Sequence, residues 1–201
     1  KHHICRLRIK IKKRYHTLIE KEAPYIKFGT TPVEVSCNAF LQASKQSDEI
    51  LSQLVLENLP QDAKRVVDLF CGRGTLALPM FDRGLKVEAY ECDNHATAAL
   101  RAPGKVNVTD QNLFTDPLTS DELNTFDAVI INPPRAGAEA QSETLAKSDV
   151  KRIIYVSCSP ETFARDTKIL MDGGYTLDFV QPVDQFIWTP HVEVVASFSK
   201  D

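Results

Sequence analysis

The sequence predicts an α/β fold, doubly wound around a mostly parallel sheet with an antiparallel hairpin at its C-terminal end, and three observations lead there. Short apolar strands near residues 65–70, 86–91, 105–109, 126–131 and 151–157 each precede an amphipathic segment or a turn, the rhythm of a sheet buried on both faces. A glycine-rich turn joins the first of these strands to its helix. Two strand-like runs, 174–182 and 192–199, then follow with only a short proline-containing link between them, so the last pair of seven strands must turn back on itself.

The elements before the sheet are read from local pattern. Arg6 to Lys12 alternates basic and apolar residues, the period of a strand with one wet face. Its basic face suits either phosphate contact or a solvated edge whose lysines discourage aggregation. Residues 15–38, with Pro24, Gly29 and Pro32, read as short strands and turns. A helix follows from about Ser44. Ser44 or Ser47 can cap it, Asp48 and Glu49 suit its positive end, Ile50, Leu51, Leu54 and Val55 share one face, and Pro60 stops it. Residues 1–38 are accordingly taken as a strand-rich N-terminal segment and 39–201 as the main domain.

Composition bounds the function. The chain has 201 residues, 43% hydrophobic and 25% charged, enough for one domain with a substantial core. No apolar run approaches the roughly 20 residues that span a bilayer, so a cytoplasmic protein without a membrane partner is expected. The five cysteines, at 5, 37, 71, 92 and 158, form no CxxC pair or zinc-type cluster, and reduced thiols are expected. His2 and His3 at the terminus read as solvent-exposed, and no metal site is expected. Residues 1–14 hold seven of the 24 Lys and Arg, leaving 17 bases against 27 acids elsewhere. An enzyme acting on nucleic acid would have to gather its positive charge around one cleft.

Three segments carry chemistry. In Asp68 to Ala77, Gly72, Gly74 and Ala77 fit the G-x-G-x-x-G/A turn, and the next strand ends at Glu91, 19 residues after Gly72. A carboxylate there accepts both hydroxyls of a ribose. Dinucleotides and S-adenosylmethionine satisfy this spacing equally, while the acid Asp68 ahead of the glycines favours the latter. Asn132-Pro133-Pro134-Arg135 forms a stiff turn at the carboxyl edge of the sheet, where such folds bind ligands. Asn-Pro-Pro is also similar to the turn of methyltransferases acting on amino groups of adenine, which continue with an aromatic residue where this chain has Arg135. Finally, Cys158 ends a strand and is followed by Ser159-Pro160, a cap and a first helical residue. The positive end of that helix is expected to lower the thiol pKa toward neutrality.

Taken together, these segments resemble the RNA uracil-5-methyltransferase family from about residue 39 onward. The family's first motif, its Asp-Pro-Pro-Arg-Ala-Gly turn, its Ser-Cys-Asn-Pro loop and its His-Val-Glu match Asp68 to Thr75, Asn132 to Gly137, Ser157 to Pro160 and His191 to Glu193. Phe40-Leu41-Gln42 matches the family's Phe-x-Gln segment. The resemblance implies a Rossmann-like methyltransferase sheet and S-adenosylmethionine as cosubstrate. It implies Cys158 as nucleophile on uracil C6 and Glu193 as base. Arg135 and His191 would lie on the substrate side, with Gln42, Phe70, Gly72, Glu91, Asn112 and Asn132 on the cosubstrate side. The implied partner is structured rRNA or tRNA. The chain's acidic balance leads to the expectation of weak RNA binding by this portion alone, as a monomer. Three positions depart from the pattern: Asn132 stands for Asp, Ser159 for Asn, and Ala43-Ser44 follow Gln42 where the family usually ends the segment in Asn. The resemblance also suggests that residues 1–38 are the end of a central domain.

Overall fold

The structure, a computed structural model, describes residues 6–12, 14–20, 23–36, 39, 41, 44–185 and 192–201. Seven strands form one sheet: β5 (Arg65–Leu69), β6 (Lys86–Glu91), β7 (Asn107–Asp110), β8 (Ala128–Ile131), β9 (Arg152–Ser157), β10 (Thr176–Val183) and β11 (Glu193–Ser199). Their spatial order is β10-β11-β9-β8-β5-β6-β7. β5 to β9 run parallel, and β11 lies antiparallel between β9 and β10. The chain steps outward from β5 to β7, then returns to place β8 on the other side of β5. That reversal opens a crevice at the carboxyl ends of β5 and β8, the usual ligand position in open α/β sheets.

The side-chain alternation of the strands divides the core in two. Val66, Ile130, Ile154, Val156 and Val195 face one layer, packed with Leu51 and Val55 of α1 (Lys45–Asn58) and with Ala77, Leu78 and Met80 of α2 (Ala77–Asp82). Val67, Leu69, Val129, Ile131, Ile153, Tyr155 and Phe198 face the other. There they meet Leu145 of α5 (Glu139–Ala146) and Leu170 of α6 (Pro160–Asp172). The shorter α3 (Asn94–Arg101) and α4 (Ser120–Leu123) complete the two layers. All four residues of β8 are buried, as a central parallel strand requires. Of the two expected caps for α1 it is Ser44 that acts, its Oγ accepting the Ser47 N–H at 3.1 Å, and the helix stops at Leu59 before Pro60.

Ahead of the sheet stand two hairpins, β1 (Arg6–Ile11) with β2 (Arg14–Glu20), and β3 (Tyr25–Phe28) with β4 (Thr31–Glu34). Leu7, Ile9 and Ile11 of β1 are exposed alongside Lys10 and Lys12. The second hairpin is built into the main core through Phe28 and Val33. Its turn is held by Asp82, which accepts the Thr30 N–H at 2.7 Å and the Thr30 hydroxyl at 2.9 Å. Replacing Phe28 by Ala should therefore cost about 3–5 kcal/mol, read as a lower urea midpoint for a single unfolding transition. A loss below about 1 kcal/mol would mean that this hairpin packs independently of the sheet.

Candidate active site

The β5 end builds one half of the site. Phe70 takes a left-handed backbone (φ 61°), rare for a non-glycine residue, and Gly72 follows it with φ 54°. A Cβ placed at Gly72 would meet nothing within 4 Å, so the glycine leaves open space above the turn. Glu91, at the end of β6, is fixed by three backbone donors. Its Oε2 accepts from Gly72 N–H at 3.1 Å, and its Oε1 accepts from Cys92 and Asp93 N–H at 2.7 and 2.9 Å. Three of the carboxylate's roughly four accepting positions are thus filled, and the one left, on Oε2, can accept a hydroxyl. The Phe70 ring lies 5.2 Å from that of Phe114, and the exposed Asn112 shapes this wall by accepting the Phe114 N–H at 3.1 Å. The Asn112 carbonyl is thus engaged within its loop, and its amide N–H groups are what it can offer a ligand.

Asp68 lies beneath the turn, fully buried, with neither carboxyl oxygen hydrogen-bonded by good geometry. Burial pushes its pKa up to about 8; the Ala77 N–H acts against that shift and the Glu91 charge with it. An orphaned buried acid under a glycine cradle fits a cationic ligand such as S-adenosylmethionine, whose positive charge would favour its ionised form. A second buried acid, Asp48 in the first turn of α1, is raised to about 6 by burial and by neighbouring Glu49.

The other half comes from three strands. The turn Asn132–Gly137 leaves β8, anchored where Asn132 N–H donates to Leu69 carbonyl at 3.1 Å and Gly137 N–H to Pro134 carbonyl at 2.8 Å. Cys158 follows β9, half-buried. In the antiparallel register Val194 of β11 pairs with Ser157 of β9, so Glu193, one residue earlier, falls beside Cys158, one residue later. Glu193 is buried, and burial raises its carboxyl pKa, opposed by a hydrogen bond from Gln185 and by the Arg135 charge. The Arg135 charge also acts on Cys158, pulling its pKa down. Thiol, carboxylate and guanidinium therefore converge.

The expected lowering of the Cys158 pKa by its helix is not found. Burial and the Glu193 charge raise it, against the pull of Arg135. The start of that helix is also occupied by its own capping serines. Ser157 Oγ accepts the Ser159 N–H at 3.1 Å, and Ser159 Oγ accepts the Thr162 N–H at 3.5 Å, so these donors near the thiol are already engaged. Of the residues expected at the site, Phe70, Gly72, Glu91 and Asn112 line one half, and Asn132, Arg135, Cys158 and Glu193 the other. Gln42 and His191 lie outside the described residues. Sequence reasoning did not single out Gln185, nor buried Arg73, whose guanidinium donates to the Glu34 carbonyl at 3.1 Å and Ser36 Oγ at 2.6 Å and so ties the β3–β4 hairpin to the glycine turn. A charged residue between the two glycines was the available clue.

Comparison with known proteins fits this geometry. The profile of the methyltransferase small domain matches residues 41–153, and that of the tRNA (uracil-5-)-methyltransferases matches residues 118–200. The chain belongs to the RNA uracil-5-methyltransferase family. It is 45% identical to an uncharacterized RNA methyltransferase of Agrobacterium fabrum over 190 residues, covering 91% of this chain and 45% of the relative. Against the 23S rRNA (uracil(1939)-C(5))-methyltransferase of Vibrio vulnificus, identity is 34%, over 90% of this chain and 43% of the relative. The chain thus spans less than half the length of these relatives. Among solved structures, the tRNA (uracil-54, C5)-methyltransferase of Pyrococcus abyssi, in complex with S-adenosyl-L-homocysteine, superposes with a TM-score of 0.78 at 28% identity, over 92% of this chain and 45% of the other. A magnesium protoporphyrin IX methyltransferase from Synechocystis, at 19% identity and a TM-score of 0.60, shares the Rossmann-like fold. No helix among the described residues is long and apolar enough to cross a membrane.

Two outcomes are expected from these electrostatics. Asp68 has a folded-state pKa near 8 against an ordinary 3.8, so the folded protein holds a proton that the unfolded chain releases. This group's contribution to stability therefore falls as pH rises from about 4 and levels off near 8. Asp68→Asn should flatten that part of the urea-midpoint profile, and an unchanged slope would count against a protonated Asp68. At the thiol, Glu193→Gln should speed alkylation of Cys158 by iodoacetamide at pH 8, followed by peptide mass mapping. A slower reaction would contradict the assigned direction.

Proposed function

We propose that this protein transfers a methyl group from S-adenosylmethionine to C5 of a uridine in rRNA or tRNA, with Cys158 as nucleophile and Glu193 as base. The observation that carries this reading is the convergence of Cys158, Glu193 and Arg135 beside the glycine turn, from segments far apart in sequence. In this reading Gln42, Phe70, Gly72, Glu91, Asn112 and Asn132 hold the cosubstrate, and Arg135 and His191 face the uracil.

The chemistry requires those groups. C5 of uracil is a weak nucleophile. When the Cys158 thiolate bonds to C6, the C5–C6 π electrons move toward C5 and O4, and C5 becomes an enolate carbon. S-adenosylmethionine, when bound, supplies an electrophilic methyl group on a sulfonium. Once C5 carries the methyl group, Glu193 removes the C5 proton, the electron pair restores the C5–C6 double bond, and the C6–S bond breaks to return the Cys158 thiolate. Burial suits Glu193 to this task, because a raised pKa makes its ionised form a stronger base. Arg135 favours negative charge on the sulfur, against the effect of burial. Asn132, standing for the Asp of the family's turn, leaves one negative charge fewer on the ligand side.

We further propose that residues 1–38 are the end of a central domain, that residues 39–201 form the catalytic domain of a cytoplasmic, monomeric enzyme, and that RNA affinity comes chiefly from outside this portion. Its 27 acids against 24 bases support weak RNA binding. In the intact protein, substrate RNA carrying 5-fluorouridine should form a covalent adduct that Cys158→Ala abolishes, because fluorine at C5 blocks proton removal. Glu193→Gln should accumulate adduct on ordinary RNA. Absence of adduct in the wild type, with methyl donor bound, would remove Cys158 as the nucleophile.

A further inference from the structure

A buried polar cluster lies behind the Cys158 half of the site, between the turn that leaves β8 and the strand β9, and takes no part in the chemistry above. Asp166, on α6, is completely buried. Its Oδ2 accepts the Ala138 N–H at 2.7 Å and the Tyr155 hydroxyl at 2.6 Å, and its Oδ1 accepts two N–H groups of Arg165 at 2.8 Å each. Arg165 in turn donates to the Ala136 carbonyl at 3.1 Å and pairs with Glu139 at 3.2 Å, while Thr162 Oγ1 donates to the Arg135 carbonyl at 3.2 Å. Three of the four consecutive residues Arg135 to Ala138 are thus hydrogen-bonded by this cluster. At the other, Gly137, φ is +73° and an added Cβ would stand 2.6 Å from Arg165 Nη2 and 2.7 Å from Asp166 Oδ2. Tyr155 precedes Cys158 by three residues on β9, and α6 begins two residues after Cys158.

We infer that Asp166 is a positioning residue, holding the Arg135 turn in register with β9, the strand that leads into Cys158, by accepting the Ala138 N–H from the one and the Tyr155 hydroxyl from the other. All four groups directed at Asp166 are donors, so the position requires two accepting oxygens and no hydrogen. Asparagine has the same shape but turns one accepting atom into a donor, which leaves buried donors unmatched on one side. Such a change releases the turn from α6 without opening a cavity. The consequence appears at a distance, since Arg135 is the cation that faces Cys158, opposite the acid Glu193.

The inference rests on Cys158 being the nucleophile, and it is tested without asking for catalysis. In the intact protein, iodoacetamide labelling of Cys158 is followed across pH by mass mapping for wild type, Asp166→Asn, Arg135→Ala and the double variant, with thermal midpoints measured in parallel. Asp166→Asn should raise the thiol's titration midpoint by about half a unit, roughly a threefold slower reaction at pH 8. In the Arg135→Ala background it should add nothing, because the residue through which it acts is gone. Equal rates for Asp166→Asn and wild type, or additive effects in the double variant, would overturn the inference. Tyr155→Phe, which removes one donor, should give a smaller shift with the same dependence on Arg135, and it reads the coupling if Asp166→Asn fails to fold. Coupled labelling in a protein that transfers no methyl group to uridine would support the positioning role and reject the functional reading.

Discussion

The site exists because β11 runs antiparallel against β9. Most strands of a doubly wound sheet end at the same edge and deliver their loops there, but the reversed strand delivers its first residue to that edge instead. Val194 opposite Ser157 therefore sets Glu193 beside Cys158. The carboxylate sits on a strand, with Gln185 as a hydrogen-bonding neighbour, rather than on a mobile loop. A slip of one residue would turn Glu193 to the other face of the sheet. Ala196, Phe198 and Val195 oppose such a slip, since each is packed into one or other core layer.

Electrostatically the site is balanced rather than primed. Burial and Glu193 hold the Cys158 thiol toward its protonated form, and among the described residues Arg135 carries the charge that favours the thiolate. A thiol governed in this way responds to small movements of one guanidinium. The rigidity of the Asn132–Gly137 turn thus matters as much as the thiol: two prolines, a left-handed glycine and the buried acceptor behind it fix where Arg135 can go. On the opposite wall Asp68 follows the same physics with one charge fewer. Buried without a good partner, it stays protonated until a cation offers to compensate it.

Much of this was legible in the sequence, for identifiable reasons. The parallel strands could be read because burial on both faces leaves continuous apolar runs such as Ala128 to Ile131. The helix after Cys158 could be read because serine, proline and glycine mark its ends. Cys158 and Asn132 were visible as strand ends, and Glu91 through its spacing from Gly72. The direction of the thiol pKa was not legible, because it depends on burial in the folded site and on a carboxylate 35 residues away in the chain, brought near by the hairpin. Asp166 left one clue, an acid in phase with Phe163, Thr167 and Leu170 on the inward face of α6. Its significance required the donors of the neighbouring turn, which periodicity cannot supply.

The central claim is that methylation replaces the hydrogen on C5 of uracil. The most direct measurement uses substrate RNA tritiated at uridine C5 with the intact protein and S-adenosylmethionine, counting methyl groups gained by the RNA against tritium released to water. The account predicts release equal to methyl transfer, with both lost in Cys158→Ala. Methyl transfer with the tritium retained in the RNA would contradict it, because the methyl group would then sit on a ring nitrogen, an amino group or a ribose.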